Sequence, residues 1–331
     1  MTRRDNRIKP SEITPEDVYL NRRKLVAGAM AMGLLPGCQP DATAAAIPED
    51  GEFGDIQPWS GSTNERSTPL EAASSFNNYY EFGTGKDDPA RYADTLVTSP
   101  WSVEVTGEAD RTGTYTLEDI LMPHALEERV YRLRCVERWS MVIPWVGFPM
   151  ADLLTRFEPR SSARFVQFYT LADREQMPGL RNNILDWPYL EGLTIEEAMH
   201  PLTLAAVGMY GKVLPNQNGA PIRLVVPWKY GYKSGKSIVR VNFTDQRPRI
   251  TTESRSEGGW TWQTAWNWYA GNEYGFYSNV NPNRAHPRWS QQVETRIDGT
   301  FPEPSLDTQL FNGYAEEVAH LYQGMDLIKN H

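Results

Sequence analysis

The sequence predicts an α+β domain built on a mixed β-sheet. Three observations lead there. Helical and strand periodicities are interspersed irregularly along the chain, 24 prolines break it into many loops, and neither an internal repeat nor a glycine-rich nucleotide-binding loop is present. With 331 residues and 40% hydrophobic content the core can be large without a disulfide staple.

Residues 1–46 read as an export signal. Asn21-Arg22-Arg23-Lys24 precedes an apolar run over residues 25–35, and small residues follow at Ala42-Thr43-Ala44-Ala45-Ala46. That is the order of a charged, an apolar and a cleavage region. The run is too short to span a bilayer as a helix. Adjacent arginines ahead of it predict the twin-arginine route into the periplasm. Leu35-Pro36-Gly37-Cys38 offers an alternative lipoprotein-type cut, with a lipid anchor at Cys38.

Residues 47–75 are rich in Pro, Gly, Ser and Asp and read as an extended arm without its own core. The catalytic domain is assigned to residues 76–331. It opens on an aromatic and amide cluster, Phe76-Asn77-Asn78-Tyr79-Tyr80-Glu81-Phe82-Gly83. Residues 101–105 alternate as a strand. Thr116-Leu117-Glu118-Asp119 has capping-box character before a short helix. Residues 129–135 alternate apolar residues with arginines and read as a strand ending at Cys135. Met150, Leu153, Leu154 and Phe157 are spaced as one helical face. Residues 163–170 form a strand, and Thr194-Ile195-Glu196-Glu197 starts another capped helix. Residues 202–209, 222–226 and 237–243 are further strands.

Composition and motif content exclude several functions. Net charge is −9, and residues 1–46 hold seven Lys/Arg against five Asp/Glu, which leaves −11 on the remainder. Such an acidic body is a poor candidate for binding nucleic acid non-specifically. The five histidines form no metal-binding pair of the zinc-hydrolase kind, and no G-x-S-x-G elbow is present.

The chemistry centres on Tyr131-Arg132-Leu133-Arg134-Cys135-Val136-Glu137-Arg138-Trp139-Ser140. The chain has two cysteines, and removal of a signal containing Cys38 leaves Cys135 alone. An unpaired thiol in an oxidising compartment is protected by deep apolar burial or by coordination to a metal. Arg132, Arg134 and Arg138 surround it in sequence and favour the thiolate, the metal-binding form. An inert cysteine on a buried strand is the plain alternative. If the strand continues, Glu137 points to the same side as Cys135. It then reaches a bound oxygen or relays protons, or else forms a surface salt bridge with an arginine.

Asn218-Gly219-Ala220-Pro221-Ile222-Arg223 places an amide and a guanidinium at one turn, a combination suited to phosphate or to simple turn formation. The run from Trp228 to Lys236 puts three lysines, two glycines and three aromatics in nine residues. It suits a flat anionic ligand, or is an exposed basic loop. Trp260, Trp262, Trp266 and Trp268 form another aromatic cluster, read as packing before carbohydrate stacking. A soft thiolate with a distant anion cradle describes a site for one thiophilic metal and one large anion.

These segments resemble a known family. The cluster over residues 76–83, the run over 131–149, Glu175-Gln176-Met177-Pro178-Gly179 and residues 211–236 are similar to the catalytic subunits of periplasmic protein-methionine-sulfoxide reductases. Glu273-Tyr274-Gly275-Phe276-Tyr277, His286-Pro287-Arg288-Trp289-Ser290-Gln291 and Phe311-Asn312-Gly313-Tyr314-Ala315 extend the likeness to the chain's end. These are bacterial molybdoenzymes with the sulfite-oxidase fold. The resemblance implies a molybdenum–molybdopterin cofactor without an appended nucleotide, and Cys135 as the metal ligand. It implies cofactor contacts at Asn77, Tyr80, Glu81, Thr170, Asn218, Arg223, Ser234, Gly235 and Lys236, with Ser234 and Gly235 acting through backbone. The weak twin-arginine motif and the tryptophan-rich segment over residues 258–268 depart from the family's pattern.

The resemblance further implies reduction of methionine sulfoxide in oxidised periplasmic proteins. Electrons then come from a haem-containing membrane subunit linked to the quinone pool. The chain has no haem or flavin motif, so an external donor is needed on sequence grounds as well. The alternatives are a sulfite dehydrogenase of the same fold and a non-enzymatic exported binding module.

Overall fold

Eleven consecutive residues, Trp139–Pro149, include a single hydroxyl-bearing side chain and no charge. A strand of that composition is stable only when buried on both faces, and it becomes the central strand of the molecule. The computed structural model describes residues 47–48, 51–54, 56–182, 184–252, 275–286 and 288–331. In chain order its strands are β1 (Gln57–Pro58), β2 (Ser102–Gly107), β3 (Gly113–Thr116), β4 (Glu127–Arg134), β5 (Trp139–Pro149), β6 (Phe165–Thr170), β7 (Leu190–Thr194), β8 (Leu204–Met209), β9 (Lys212–Val213), β10 (Arg223–Val225), β11 (Ile238–Thr244), β12 (Val293–Arg296) and β13 (Ser305–Asp307).

Among the described residues they form two mixed sheets. The larger has the order β1-β4-β5-β12-β13, with β8 also on β5 and carrying β9 and β10. The smaller has the order β3-β2-β11-β6-β7. Parallel pairs β1–β4, β5–β12 and β2–β11 sit among antiparallel ones. The expected mixed α+β architecture is therefore present.

The hairpin β4–β5 positions the site. Its eight residue pairs run from Glu127–Gly147 to Arg134–Ser140. Pro144 interrupts neither ladder. Opposite it, Val130 turns its N–H to Ser62 Oγ and its carbonyl to Thr63 N. Pairing with β8 begins only at Trp145, so the missing proline donor leaves no gap.

Short helices flank the strands. Thr116 Oγ1 accepts from Asp119 N and caps Leu117–Leu121. Thr194 and Glu197 form a reciprocal capping box at Ile195–Ala198. Residues 150, 153 and 154 bury one face of Met150–Arg156. One large apolar cluster joins both sheets.

The arm over residues 47–75 has no core of its own, yet it lies on the larger sheet. β1 pairs with β4, the Arg129 guanidinium sits 4.5 Å from the centre of the Trp59 ring, and buried Thr68 donates to Ile297 O at 2.6 Å. Residues 1–46 and the tryptophans at 260, 262, 266 and 268 lie outside the described residues. Among the described residues no helix is long and apolar enough to cross a membrane.

Candidate active site

β4 ends at Arg134, and Cys135 is the first residue of the turn into β5. Cys135 N donates to Trp139 O at 2.9 Å, and Arg138 N donates to Cys135 O at 3.1 Å. Arg138 takes a left-handed conformation, φ 74°. The turn is clamped from behind. Arg134, fully buried, pairs with Glu294 at 3.0 Å, donates to Gln291 Oε1 at 2.8 Å and reaches the Cys135 carbonyl. Val136 O accepts from Gln291 Nε2 at 2.7 Å and from Trp289 Nε1 at 3.0 Å.

The strand does not continue through Glu137, but the turn brings it to the sulfur by another route. Glu137 N lies 3.4 Å and its Oε2 3.7 Å from Cys135 Sγ. That oxygen also meets Lys86 Nζ at 2.5 Å, Asn78 Nδ2 at 3.0 Å and Trp139 Nε1 at 3.1 Å. Burial alone raises the Glu137 pKa, but these donors outweigh it and hold the carboxyl below its ordinary value. The ion pair is with Lys86, not with an arginine.

The arginines do not surround the sulfur. On β4, residues 132 and 134 share the side opposite to residue 135. Arg132 pairs with Glu65, and Arg138 Nε reaches Val293 O at 3.4 Å. Burial pushes the Cys135 thiol up to about 12, and Glu137 adds to the rise. Lys86 and Arg134 pull it down by less, so in the unloaded site burial outweighs the cations expected to activate the thiol.

Cys135 opens into a cleft lined by residues of both sheets and of the segment over residues 73–81. Of the residues expected to bind a cofactor, Asn77, Tyr80, Glu81, Thr170, Asn218, Arg223 and Lys236 line it. Ser234 and Gly235 do not. Ser234 Oγ accepts from Val226 N at 3.1 Å, its carbonyl faces Arg223 at 3.4 Å, and Gly235 O accepts from Leu224 N at 2.8 Å. They support the wall from behind, through backbone and hydroxyl.

Two features of the cleft call for a ligand. Asn77 Nδ2 and Asn218 Nδ2 both donate to Ala73 O, at 3.0 and 2.9 Å. Each is left with a buried Oδ1 that has no hydrogen-bond partner, an arrangement that costs free energy unless a donor arrives. Arg223 is buried and Lys236 half-buried, and neither forms an ion pair with a carboxylate among the described residues. Arg223 donates to Asn218 O at 2.7 Å and lies 4.8 Å from the Trp145 ring centre. Burial lowers Arg223 to about 10 and Lys236 to about 8. Glu81 is pushed up to about 7 by burial, with Lys236 pulling it back. Acceptors for ring N–H groups, cations for a phosphate and one thiol for a metal fit a metal–pterin group.

Close backbone approaches build this wall. Gly179 N donates to Glu81 O at 2.7 Å, and a Cβ there would stand 2.2 Å from Tyr80 O. Gly219, at φ 99°, lies against Lys236. The run over residues 228–236 is buried rather than an exposed basic loop. Lys229 pairs with Glu197 at 2.6 Å and Lys233 with Glu191 at 2.5 Å. Only Lys236 of the three lysines lines the cleft.

Comparison with known proteins decides the family. Protein-methionine-sulfoxide reductase catalytic subunit MsrP of Burkholderia mallei is 52% identical over 97% of this chain and 95% of its own length. The subunits of the same name from Ralstonia nicotianae and Pseudomonas syringae pv. tomato are 51% and 50% identical, each over 98% of this chain and 97% of its own length. The chain belongs to the protein-methionine-sulfoxide reductase catalytic subunit family. The Oxidoreductase molybdopterin binding domain family matches residues 91–251. Like that family, this MsrP-type chain is a molybdenum-dependent oxidoreductase with a molybdopterin cofactor. Among solved structures, the sulfane dehydrogenase SoxCD from Paracoccus pantotrophus overlaps 71% of this chain and 60% of its own, at 17% identity and a TM-score of 0.40.

Asn78, Lys86 and Trp139 join the MsrP-type site without having been singled out from sequence. Asn78 and Trp139 fall inside segments that carried the resemblance. Lys86 had no signal, because only the loop fold returns it to Glu137.

Proposed function

We propose that the protein reduces methionine sulfoxide in oxidised periplasmic proteins, with electrons from a haem-containing membrane partner linked to the quinone pool. The observation that carries this reading is Cys135 Sγ, facing a cleft with two unpaired amide oxygens and two cations that form no ion pair among the described residues. The relatives' activity, named at about half identity over nearly the whole chain, supports it. Export by the twin-arginine route belongs to the same reading and rests on residues 21–46.

When bound, molybdenum–molybdopterin supplies two-electron oxygen-atom transfer. The chain contributes position, charge and protons. Cys135 offers its sulfur to the metal. Arg223 and Lys236 offer charge to the phosphate, and Asn77 and Asn218 offer acceptors to the ring. Glu137, 27% exposed at its side chain, faces the same cleft. Its carboxyl, kept below its ordinary pKa by Lys86, Asn78 and Trp139, would take up and pass on protons at a carboxylate oxygen as the sulfoxide oxygen is released.

Elemental analysis of the purified exported protein, beside Cys135→Ser, tests the site. About one molybdenum per chain is expected, with loss or gross perturbation in the variant. Methionine sulfoxide peptides and a reduced dye then test the reaction. Turnover of sulfite with an electron acceptor, and none of sulfoxide, puts the sulfite dehydrogenase in its place.

A further inference from the structure

Lys86 follows Asn78 by eight residues in sequence but returns to it in space. Lys86 O accepts from Asn77 N at 2.8 Å, which folds the loop over residues 83–88 back on the cluster. The loop is braced by Gly85 N, which donates to Asp88 Oδ2 at 2.7 Å. Lys86 Nζ then meets two acceptors, Glu137 Oε2 at 2.5 Å and Asn78 Oδ1.

The second contact decides which way the Asn78 amide faces. An ammonium group only donates, so the amide oxygen must face Lys86. The amide nitrogen therefore faces the opposite direction, 3.4 Å from Cys135 Sγ and 3.0 Å from Glu137 Oε2. With the Glu137 N–H at 3.4 Å, Asn78 supplies one of two N–H donors on this sulfur. A hydrogen bond to a ligating thiolate withdraws electron density from it and favours the metal's reduced states.

We propose that Lys86 is a positioning residue that holds the Asn78 amide with its N–H on the Cys135 sulfur, and so raises the reduction potential of the bound metal. This rests on the reading of Cys135 as the metal ligand. Without Lys86 the amide oxygen loses its donor and the side chain is held only through Glu137 Oε2 at 3.0 Å, so its N–H is no longer fixed on the sulfur and the thiolate becomes a stronger donor.

The test is a redox titration of molybdenum-loaded protein, followed by electron paramagnetic resonance. Lys86→Met, Asn78→Leu and the double variant are compared with the parent. Each single variant is expected to lower the one-electron potential by a tenfold change in equilibrium, ~59 mV. The double variant is expected to shift no further than Asn78→Leu alone, because Lys86 acts through Asn78. Additive shifts mean that the lysine charge acts directly on the metal and overturn the proposal, as does an unmoved potential in Lys86→Met. If Lys86→Met fails to load metal, Lys86→Ala, which likewise carries no donor, takes its place in the same cycle. A parent without molybdenum removes the reading of the site, and the proposal falls with it.

Discussion

Replacing Lys233 by Met is expected to destabilise the protein severely, in a pH-dependent way. Lys233 and Glu191 are both sealed from solvent, 2.5 Å apart. Lys233 Nζ also donates to Gly192 O at 2.9 Å. The variant leaves Glu191 with only the Tyr189 hydroxyl at 3.1 Å and the Gly192 N–H at 3.3 Å. Breaking a buried pair from one side costs about 3–5 kcal/mol, since the remaining charge is uncompensated. At roughly 2 °C per kcal/mol for a domain of this size, the melting temperature falls by roughly 6–10 °C. Burial already raises the Glu191 pKa, with Lys233 foremost among the groups pulling it back. Removing the lysine raises it further. A carboxyl with a raised native pKa binds more protons folded than unfolded, so stability falls as pH rises between the two values. The deficit is therefore larger at pH 8 than at pH 5. Scanning calorimetry at both values is the assay, with Lys233→Met/Glu191→Leu as the partner variant that recovers most of the loss. A drop under about 2 °C, or one equal at both pH values, refutes the reasoning. The site feels this pair directly. Tyr189 lines the cleft, and its hydroxyl also lies 2.9 Å from Tyr232 O.

Further variants separate catalysis, cofactor retention and simple stability. Glu137→Gln is expected to keep its molybdenum and lose at least about 100-fold in sulfoxide turnover; full metal with unchanged turnover removes the proton-relay role. Asn218→Leu deletes one unpaired acceptor, so metal content measured by elemental analysis is expected to fall below that of the parent. Thr194→Ala breaks a capping box whose residues do not line the cleft and is expected to cost about 1 kcal/mol, with turnover unchanged. A thermal melt beside a steady-state assay checks both halves of that statement.

Local rules were legible where a residue's neighbours in sequence are also its neighbours in space. Thr116 and Thr194 announce their helices because a cap acts over three residues. β5 was not legible. Its apolar run has no alternation to mark it, and Pro144 reads as a break until the outward-turned Val130 is seen. The arm over residues 47–75 has a linker's composition, yet Thr68 and Trp59 bind it to residues far along the chain. The cofactor wall was legible through family resemblance, since nothing in the spacing of Asn77, Thr170 and Arg223 brings them together. Lys86 escaped because its role depends on a loop that closes only in three dimensions.

The arginines beside Cys135 show how such an inference fails and what replaces it. Sequence adjacency made them activators of the thiol, but strand geometry sends Arg132 to Glu65 and Arg134 to Glu294. Their work is mechanical. Arg134 and Gln291 hold the carbonyls of Cys135 and Val136, fixing the turn from behind. The sulfur itself is left in a buried setting that favours the protonated thiol. Burial and metal coordination, first weighed as alternatives, therefore act in sequence. Burial keeps the unloaded thiol from oxidants, because the reactive thiolate is scarce. The positive charge that stabilises the thiolate must then enter from the cleft, where Arg223 and Lys236 await an anion and Asn77 and Asn218 await donors. A ligand carrying both a metal cation and a phosphate meets all of these requirements at once.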